Sequence, residues 1–238
     1  MVESAKKFFL KGHQVDFICW SDSTEIKDVK IIPTEPMEWP FPTLYRYSLF
    51  LREEELLKEY DFIFYIDADE LFVSRVGEEI LGDLVAVQHP MYALRKEYIP
   101  PYEPSEKSTA YIPRPGRVIT ENGKKRFEPL YFAGGLQGGR TQNFIAAMKA
   151  MKEMIDKDFT ENNHIPIWND ESTLNAYFFK NPPTIVLSPS YCYPDSLIKA
   201  YYFRVWGRSY VPKIITLTKK FSLTTDGGIN LQNILPNL

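Results

Sequence analysis

Apolar and polar positions along this chain spell out helices and strands in alternation. Val2 to Leu10 has the spacing of a short amphipathic helix, with Gly12 as its C-terminal cap. Val15 to Trp20 reads as a strand closed by Ser21-Asp22-Ser23, and Val29 to Ile32 as a second strand stopped by Pro33. Between Thr43 and Lys58, Leu44, Tyr47, Leu51, Leu56 and Leu57 recur at helical intervals, with Thr43 placed to cap that helix. Phe62 to Ile66 is then apolar without a break, as expected of a strand buried on both faces. Charge begins abruptly at its end, with Asp67-Ala68-Asp69. The alternation predicts an α/β fold with a mixed, mainly parallel sheet flanked by helices.

The second part of the chain is less regular. Leu84 to Gln88 is a short strand ended by His89-Pro90, and residues 91–129, with six prolines, carry little periodicity. Extended structure resumes at Leu130 to Ala133, and the glycine pairs Gly134-Gly135 and Gly138-Gly139 invite close backbone approach. A helix over Thr141–Lys157 carries an apolar stripe of Phe144, Met148, Met151 and Ile155, which reads as core. The stretch from Ile167 to Ser172 leads into another helix reaching Phe179, broken by Asn181-Pro182-Pro183. Thr184 to Leu187 is a strand, and pattern returns only at Lys213 to Leu217. The last dozen residues read as loosely ordered. With neither repeat nor linker, residues 1–238 read as one domain with two half-sites on one sheet, at 1–90 and at 91–238, the second with a C-terminal tail.

Bulk properties narrow the classes. A net charge of −3 removes any global attraction to nucleic acid. No apolar run approaches the ~18 residues of a membrane span. Cys19 and Cys192 are too sparse for a disulfide framework and are expected as buried free thiols. With no signal peptide either, a soluble, cytoplasmic protein is expected.

The candidate chemistry starts at the end of the apolar strand. In open α/β sheets, ligands bind beyond the carboxyl ends of strands. Asp67 and Asp69 can leave such an end toward a common point, and a hard divalent cation there would relieve their repulsion and leave room for a diphosphate. A solvated acidic turn gives the same pattern. So does a phosphohydrolase nucleophile at Asp67, although those enzymes normally place a Thr where this chain has Leu71.

Further motifs follow in a fixed order: His89-Pro90, Thr109-Ala110-Tyr111-Ile112-Pro113, Tyr131 to Gly139, Trp168 to Ser172 and Leu187-Ser188-Pro189. With Asp67-Ala68-Asp69 ahead of them, they closely resemble glycosyltransferase family 6 over roughly residues 1–195. That family holds the histo-blood-group A and B transferases, α-1,3-galactosyltransferase and bacterial relatives. The resemblance implies a GT-A-type, Rossmann-like architecture, with a nucleotide-binding half at 1–90 and an acceptor-binding half at 91–238. It also implies a retaining, Mn²⁺-dependent transfer of N-acetylgalactosamine or galactose from a UDP donor to the 3-hydroxyl of a galactoside, which can be fucosylated. Asp67 and Asp69 would hold Mn²⁺ and the diphosphate, with Asp67 also near the ribose. Arg46 would contact the donor, and Asp170 the hydroxyls of its sugar. Glu171 would be the catalytic glutamate, on the acceptor side as well. It would act as nucleophile or as electrostatic stabiliser, leaving double displacement and same-face substitution both open. His89 and Trp168 would meet the acceptor. Ala133, Gly134 and Gly135 resemble members that prefer N-acetylgalactosamine, because small residues there leave room for an acetamido group.

The resemblance has gaps. Family members open with a strand and a uracil-gripping loop ahead of the helix assigned to residues 2–10, so a first strand is apparently missing. A non-catalytic sugar-binding remnant is therefore a second expectation. The vertebrate members carry a stem and membrane anchor, so a soluble microbial or viral version is expected. Asn169 stands where the family usually has His, and Pro104-Ser105 where it has two arginines. Lys219 and Lys220 are candidates for closing over the diphosphate.

Overall fold

The computed structural model describes residues 1–94, 99–113, 117–121, 124–128, 130–198 and 210–218. A helix α1 (Val2–Phe8) leads through Gly12, at φ 95°, to strands β1 (Ile18–Ser21) and β2 (Lys30–Pro33), which pair in parallel. The helix expected over 43–58 is three short ones, α2 (Phe41–Leu44), α3 (Arg46–Arg52) and α4 (Glu54–Leu57). The breaks fall at Tyr45 and Glu53, whose backbones leave the helical region. Thr43 lies inside α2 rather than capping it, and its hydroxyl donates to the Pro40 carbonyl at 2.8 Å. The break at Tyr45 restarts the chain so that Arg46 and Tyr47 both turn inward.

The strand β3 (Phe62–Ile66) has the expected bounds. Its side chains alternate between two cores. Phe64 and Ile66 pack on one, Ile63 and Tyr65 on the other, though each is half-buried rather than fully enclosed. After β4 (Glu70–Phe72) come β5 (Val85–Gln88), β8 (Phe132–Arg140) and β9 (Ile185–Leu187), completing a sheet of order β3-β8-β5-β9. On β5, Val85 and Val87 join the first core and Ala86 the second, so one hydrophobic layer covers each face.

The sheet is mixed. β5 and β9 are parallel, while β8 runs antiparallel to both neighbours. That antiparallel share exceeds what helix–strand alternation suggests, because β8 enters after residues 91–129 rather than after a crossover helix. Its full length replaces the shorter strand expected at 130–133. At Gly138 a Cβ would lie 2.4 Å from the Ile63 carbonyl oxygen, so only glycine allows β3 this close. Residues 91–129 also hold more structure than their periodicity predicts. They contain the end of α5 (Pro90–Leu94) and an antiparallel hairpin of β6 (Arg117–Glu121) and β7 (Lys124–Glu128). Local backbone pairing specifies that hairpin, and an apolar-stripe reading does not detect it.

The second core is filled by α6 (Thr141–Thr160), whose Phe144, Met148, Met151 and Ile155 are all buried as the stripe predicts, and by α7 (Asn169–Lys180). Truncating Met148 or Met151 to Ala is expected to cost about 2–5 kcal/mol. β10 (Tyr193–Pro194), α8 (Asp195–Ile198) and β11 (Ile214–Thr216) follow, β11 pairing in parallel with β10 and antiparallel with β4. Both cysteines are free, Cys192 buried and Cys19 partly so. No described helix is long and apolar enough to cross a membrane. Lys219, Lys220 and the last dozen residues lie outside the described residues.

Candidate active site

An irregularity in β8 builds the site. Along β3 its register is unbroken, from Phe62 opposite Arg140 to Ile66 opposite Leu136. Along β5, consecutive residues Ala86 and Val87 face Gln137 and Ala133, so Gly134, Gly135 and Leu136 bulge out of that ladder. Such bulges aim backbone and side chains out of a sheet. Here the bulge points the Gly134 N–H at Glu171 Oε2, 2.9 Å away, while the Gly135 carbonyl accepts from the Asp67 N–H at 2.9 Å. Asp67 and Glu171, far apart in sequence, are thus anchored to adjacent residues of one strand.

Buried amides hold the bulge. Asn175, one turn along α7 from Glu171, accepts from the Phe132 N–H at 2.7 Å and donates to the Phe132 carbonyl at 3.0 Å and the Glu171 carbonyl at 2.8 Å. Gln137 donates to the Gly134 carbonyl at 3.3 Å and accepts from the Tyr47 hydroxyl at 3.0 Å. Tyr47 and Gln137 are completely buried.

Arg46 lies beneath these groups, with its guanidinium 4.4 Å from the centre of the Tyr65 ring. Its Nε is 3.2 Å from Asp170 Oδ2 and its Nη1 is 4.0 Å from Asp67 Oδ1. Neither approach is aligned for a hydrogen bond. Burial alone would lower the arginine's pKa, but the charges of Asp170, Tyr65 and Asp67 carry it above its ordinary range. Asp67 also accepts a short hydrogen bond from the Tyr65 hydroxyl. Burial pushes Asp170 up to about 6, with Arg46 opposing. Glu171 rises to about 7, again through burial, with the Gly134 N–H and Tyr131 pulling it back. Both carboxylates sit in the first turn of α7, where the helix dipole favours the anionic form. Asn169 enters that helix at φ 49°, a left-handed conformation that asparagine tolerates well.

The structure therefore gathers Arg46, Asp67, Gly134, Gly135, Asp170 and Glu171. Asp69 is partly buried beside them, and its carbonyl accepts from the Leu217 N–H at 3.0 Å. His89 stands in an aromatic group with Tyr92 and Tyr131, ring centres 4.8 and 5.8 Å away, and both tyrosines feel the Glu171 charge. Burial lowers His89 to about 4, and its Nδ1 accepts from the Met91 N–H at 3.3 Å, so it bonds the first turn of α5. Trp168 precedes α7 with half of its surface exposed, beside exposed Ile167. Ala133 is the outlier, only 4% exposed and counted in the first core, whereas Gly135 faces carboxylates.

Sequence reasoning missed Tyr47, Gln137, Asn175, Tyr131 and Glu70. Only Glu70 left a signal, an acidic residue next to Asp69. It is 1% exposed, and burial pushes it up to about 8. The Thr216 hydroxyl donates to its Oε1 at 2.8 Å, with the Cys192 thiol at 3.8 Å, while its Oε2 has no hydrogen-bond partner.

The segment over the far side of the site is tied down by a different network. Asp158, fully buried, accepts from Ser108 Oγ at 2.5 Å, the Thr109 N–H at 2.7 Å and Asn162 Nδ2 at 2.9 Å. Glu103 accepts from the Ser105 N–H at 2.9 Å and the Ile167 N–H at 2.6 Å, with His164 Nε2 at 3.2 Å. This fixes the approach to Trp168.

The model of glycosyltransferase family 6 matches residues 46–218. Globoside alpha-1,3-N-acetylgalactosaminyltransferase 1 of Mus musculus is 31% identical over 206 residues, covering 82% of this chain and 56% of the relative. Histo-blood group ABO system transferase 1 of Rattus norvegicus is 30% identical over 212 residues, covering 83% and 57%. O-antigen biosynthesis glycosyltransferase WbnI of Escherichia coli is 29% identical over 170 residues, covering 71% and 67%. The chain thus spans little more than half the length of the two mammalian relatives.

Proposed function

Because this chain belongs to glycosyltransferase family 6, we propose that it moves a hexose from a UDP-sugar to a galactoside, forming an α-1,3 bond with retention. The name of the similar globoside transferase supports N-acetylgalactosamine as the sugar, with galactose as the alternative. The observation that carries the reading is the bulge in β8, which anchors the strand-end aspartate and the helix-start glutamate to neighbouring residues. A sugar lying over Gly134 and Gly135 would have its diphosphate toward Asp67 and its reactive carbon toward Glu171.

Each residue then has a task. Glu171, ionised, faces the reactive carbon and stabilises the positive charge that grows there as UDP departs. The Gly134 N–H bond and the helix start favour its anionic form against the cost of burial. Asp170, backed by Arg46, orients sugar hydroxyls, and Arg46 adds a fixed positive charge beside Asp67. Trp168, and His89 and Tyr92 packed on the buried Tyr131, offer apolar ring faces to the acceptor.

Asp67 and Asp69 would hold Mn²⁺. The fit is chemical: both supply hard oxygen ligands, and the bare face of Gly135 leaves Asp67 Oδ2 uncovered. No cluster of three or more acidic, histidine or cysteine side chains among the described residues is arranged to hold a metal. The protein would thus supply few ligands, and donor phosphate and water the rest. A bound cation would act as a Lewis acid for the leaving diphosphate.

The test is UDP release from UDP-N-acetylgalactosamine and UDP-galactose, with and without a galactoside acceptor, and with and without chelator. Acceptor-stimulated, chelator-sensitive release that is lost in Glu171→Gln is expected. Tight donor binding without turnover would mean a sugar-binding remnant instead.

A further inference from the structure

The two aspartates at the end of β3 are held by different sheets. Asp67 hangs on β8, its N–H donating to the Gly135 carbonyl at 2.9 Å, and the turn after it closes with the Glu70 N–H on the Asp67 carbonyl at 3.2 Å. Asp69 is held by β11. That strand pairs with β4 up to Thr216 opposite Glu70, and the ladder then runs one rung beyond both strands, the Leu217 N–H donating to the Asp69 carbonyl at 3.0 Å. At the far end of β11, Lys213 is pinned by its ammonium, 2.6 Å from Glu79 Oε1 and 3.0 Å from the Tyr191 hydroxyl. A last rung on a three-residue strand frays unless its outer side is held too. On that side the backbone ladder has run out, because β10 ends at Pro194, opposite Thr216, and the chain turns into α8. The Asp195 side chain takes over. Its Oδ2 accepts from the Thr218 N–H at 3.1 Å and from the Thr218 hydroxyl at 3.2 Å. Consecutive amides are therefore bonded on the two sides of the segment, Leu217 to the aspartate turn and Thr218 to Asp195.

We propose that Asp195 is a positioning residue for Asp69, acting through Thr218 and Leu217 to hold the backbone of the aspartate turn ready for a divalent cation. The inference rests on the glycosyl-transfer reading, in which Asp67 and Asp69 hold Mn²⁺, and deepens it. Two carboxylates leaving one strand end repel each other, so a turn held on one side only would spread before a cation arrives. A turn fixed at Asp67 by β8 and at Asp69 by Leu217 keeps its carboxylates together. The cation then meets ligands that need little further ordering, and binds more tightly for it.

The test follows Mn²⁺ binding by electron paramagnetic resonance with UDP present, and hydrogen exchange at the Leu217 amide, in the wild type, Asp195→Ala, Asp195→Asn and Thr218→Val. In Asp195→Ala, Mn²⁺ affinity is expected to fall about tenfold and the Leu217 amide to exchange about tenfold faster, as for lost hydrogen bonds of ordinary strength. Asp195→Asn, which keeps a carbonyl acceptor, should restore most of both. Thr218→Val, which removes only the hydroxyl, should fall between. In turnover, the Asp195→Ala defect should be a raised KM for Mn²⁺, with kcat at saturating Mn²⁺ within about twofold of the wild type. Unchanged Mn²⁺ affinity in Asp195→Ala would overturn the proposal. So would weakened Mn²⁺ binding with Leu217 exchange unaltered, because Asp195 would then act by another route. A large fall in kcat that saturating Mn²⁺ does not repair would also sink it, since a general structural role or a substrate contact produces that result. Should Asp195→Ala fail to fold, Thr218→Val decides through the same two readouts. The two readings fail separately. A wild type that binds no Mn²⁺ ends the metal reading and this proposal with it, while equal Mn²⁺ affinity in wild type and Asp195→Ala ends this proposal alone.

Discussion

The chain carries two buried polar networks, and they are built on opposite principles. In the one around Asp158 and Glu103, all four carboxyl oxygens have partners, largely from backbone N–H groups and short side chains. In the one around Arg46, Asp170, Glu70 and Tyr131, charges lie close together but hydrogen bonds are missing. Among the described residues, five of the eight buried side-chain atoms without a partner belong to that second group. A buried polar group that is fully satisfied stabilises the fold, whereas one left short costs stability unless a ligand completes it. The first network ties the 103–109 segment to α6 and to the residues ahead of α7. The second leaves buried donors and acceptors unpaired.

Mutation should separate them by sign. The largest effect is expected from Glu171→Gln, with kcat falling about a thousandfold. Its melting temperature at pH 8 should stay level or rise, because an ionised buried carboxylate has been removed. Steady-state kinetics beside calorimetric melting checks both halves, and a large loss of stability would erase the contrast. Asp158→Ala should do the reverse. Leaving Ser108, the Thr109 N–H and Asn162 without their acceptor should cost roughly 3 kcal/mol of unfolding free energy in denaturant titration. The fraction that remains folded should keep its kcat.

Gln137→Leu falls between the two. It strands the Tyr47 hydroxyl and frees the Gly134 carbonyl, so about 1–3 kcal/mol of stability should go. A roughly tenfold drop in kcat with little change in KM should accompany it if the amide positions the bulge. A pH dependence should be visible in the unmutated chain. Glu171 has a folded-state value near 7 against an ordinary 4.5. The folded chain therefore holds an extra proton between those limits. The stability this contributes is full below pH 4.5 and lost as pH rises through about 7, and Asp170 adds the same sign up to about 6. Activity should run the other way, with kcat/KM rising up to tenfold per unit below pH 7 and levelling above it. A rate profile flat from pH 5 to 9 would mean that ionisation of Glu171 does not control turnover.

Much of this was legible in the residues. The strand at Phe62–Ile66, the core stripe of α6 and the helix start at Asp170-Glu171 all follow from local periodicity and capping chemistry. Glu171 and Asp67 were found through their motifs. The groups that hold them were not, for a physical reason. Gln137, Asn175 and Tyr47 act through partners 90, 43 and 90 residues away along the chain, and no local pattern encodes such a pairing. The split of the 43–58 helix and the 117–128 hairpin escaped similarly, since backbone geometry rather than an apolar stripe defines them.

The strand that keeps step with one neighbour while skipping three residues against the other also sets what kind of change this chain can tolerate. Swapping a side chain there alters one contact, but inserting or deleting a single residue between Ala133 and Gln137 would shift the Gly134 amide away from Glu171, the Gly135 carbonyl away from Asp67, or both. In this segment, chain length is as much a determinant of the site's geometry as any functional group.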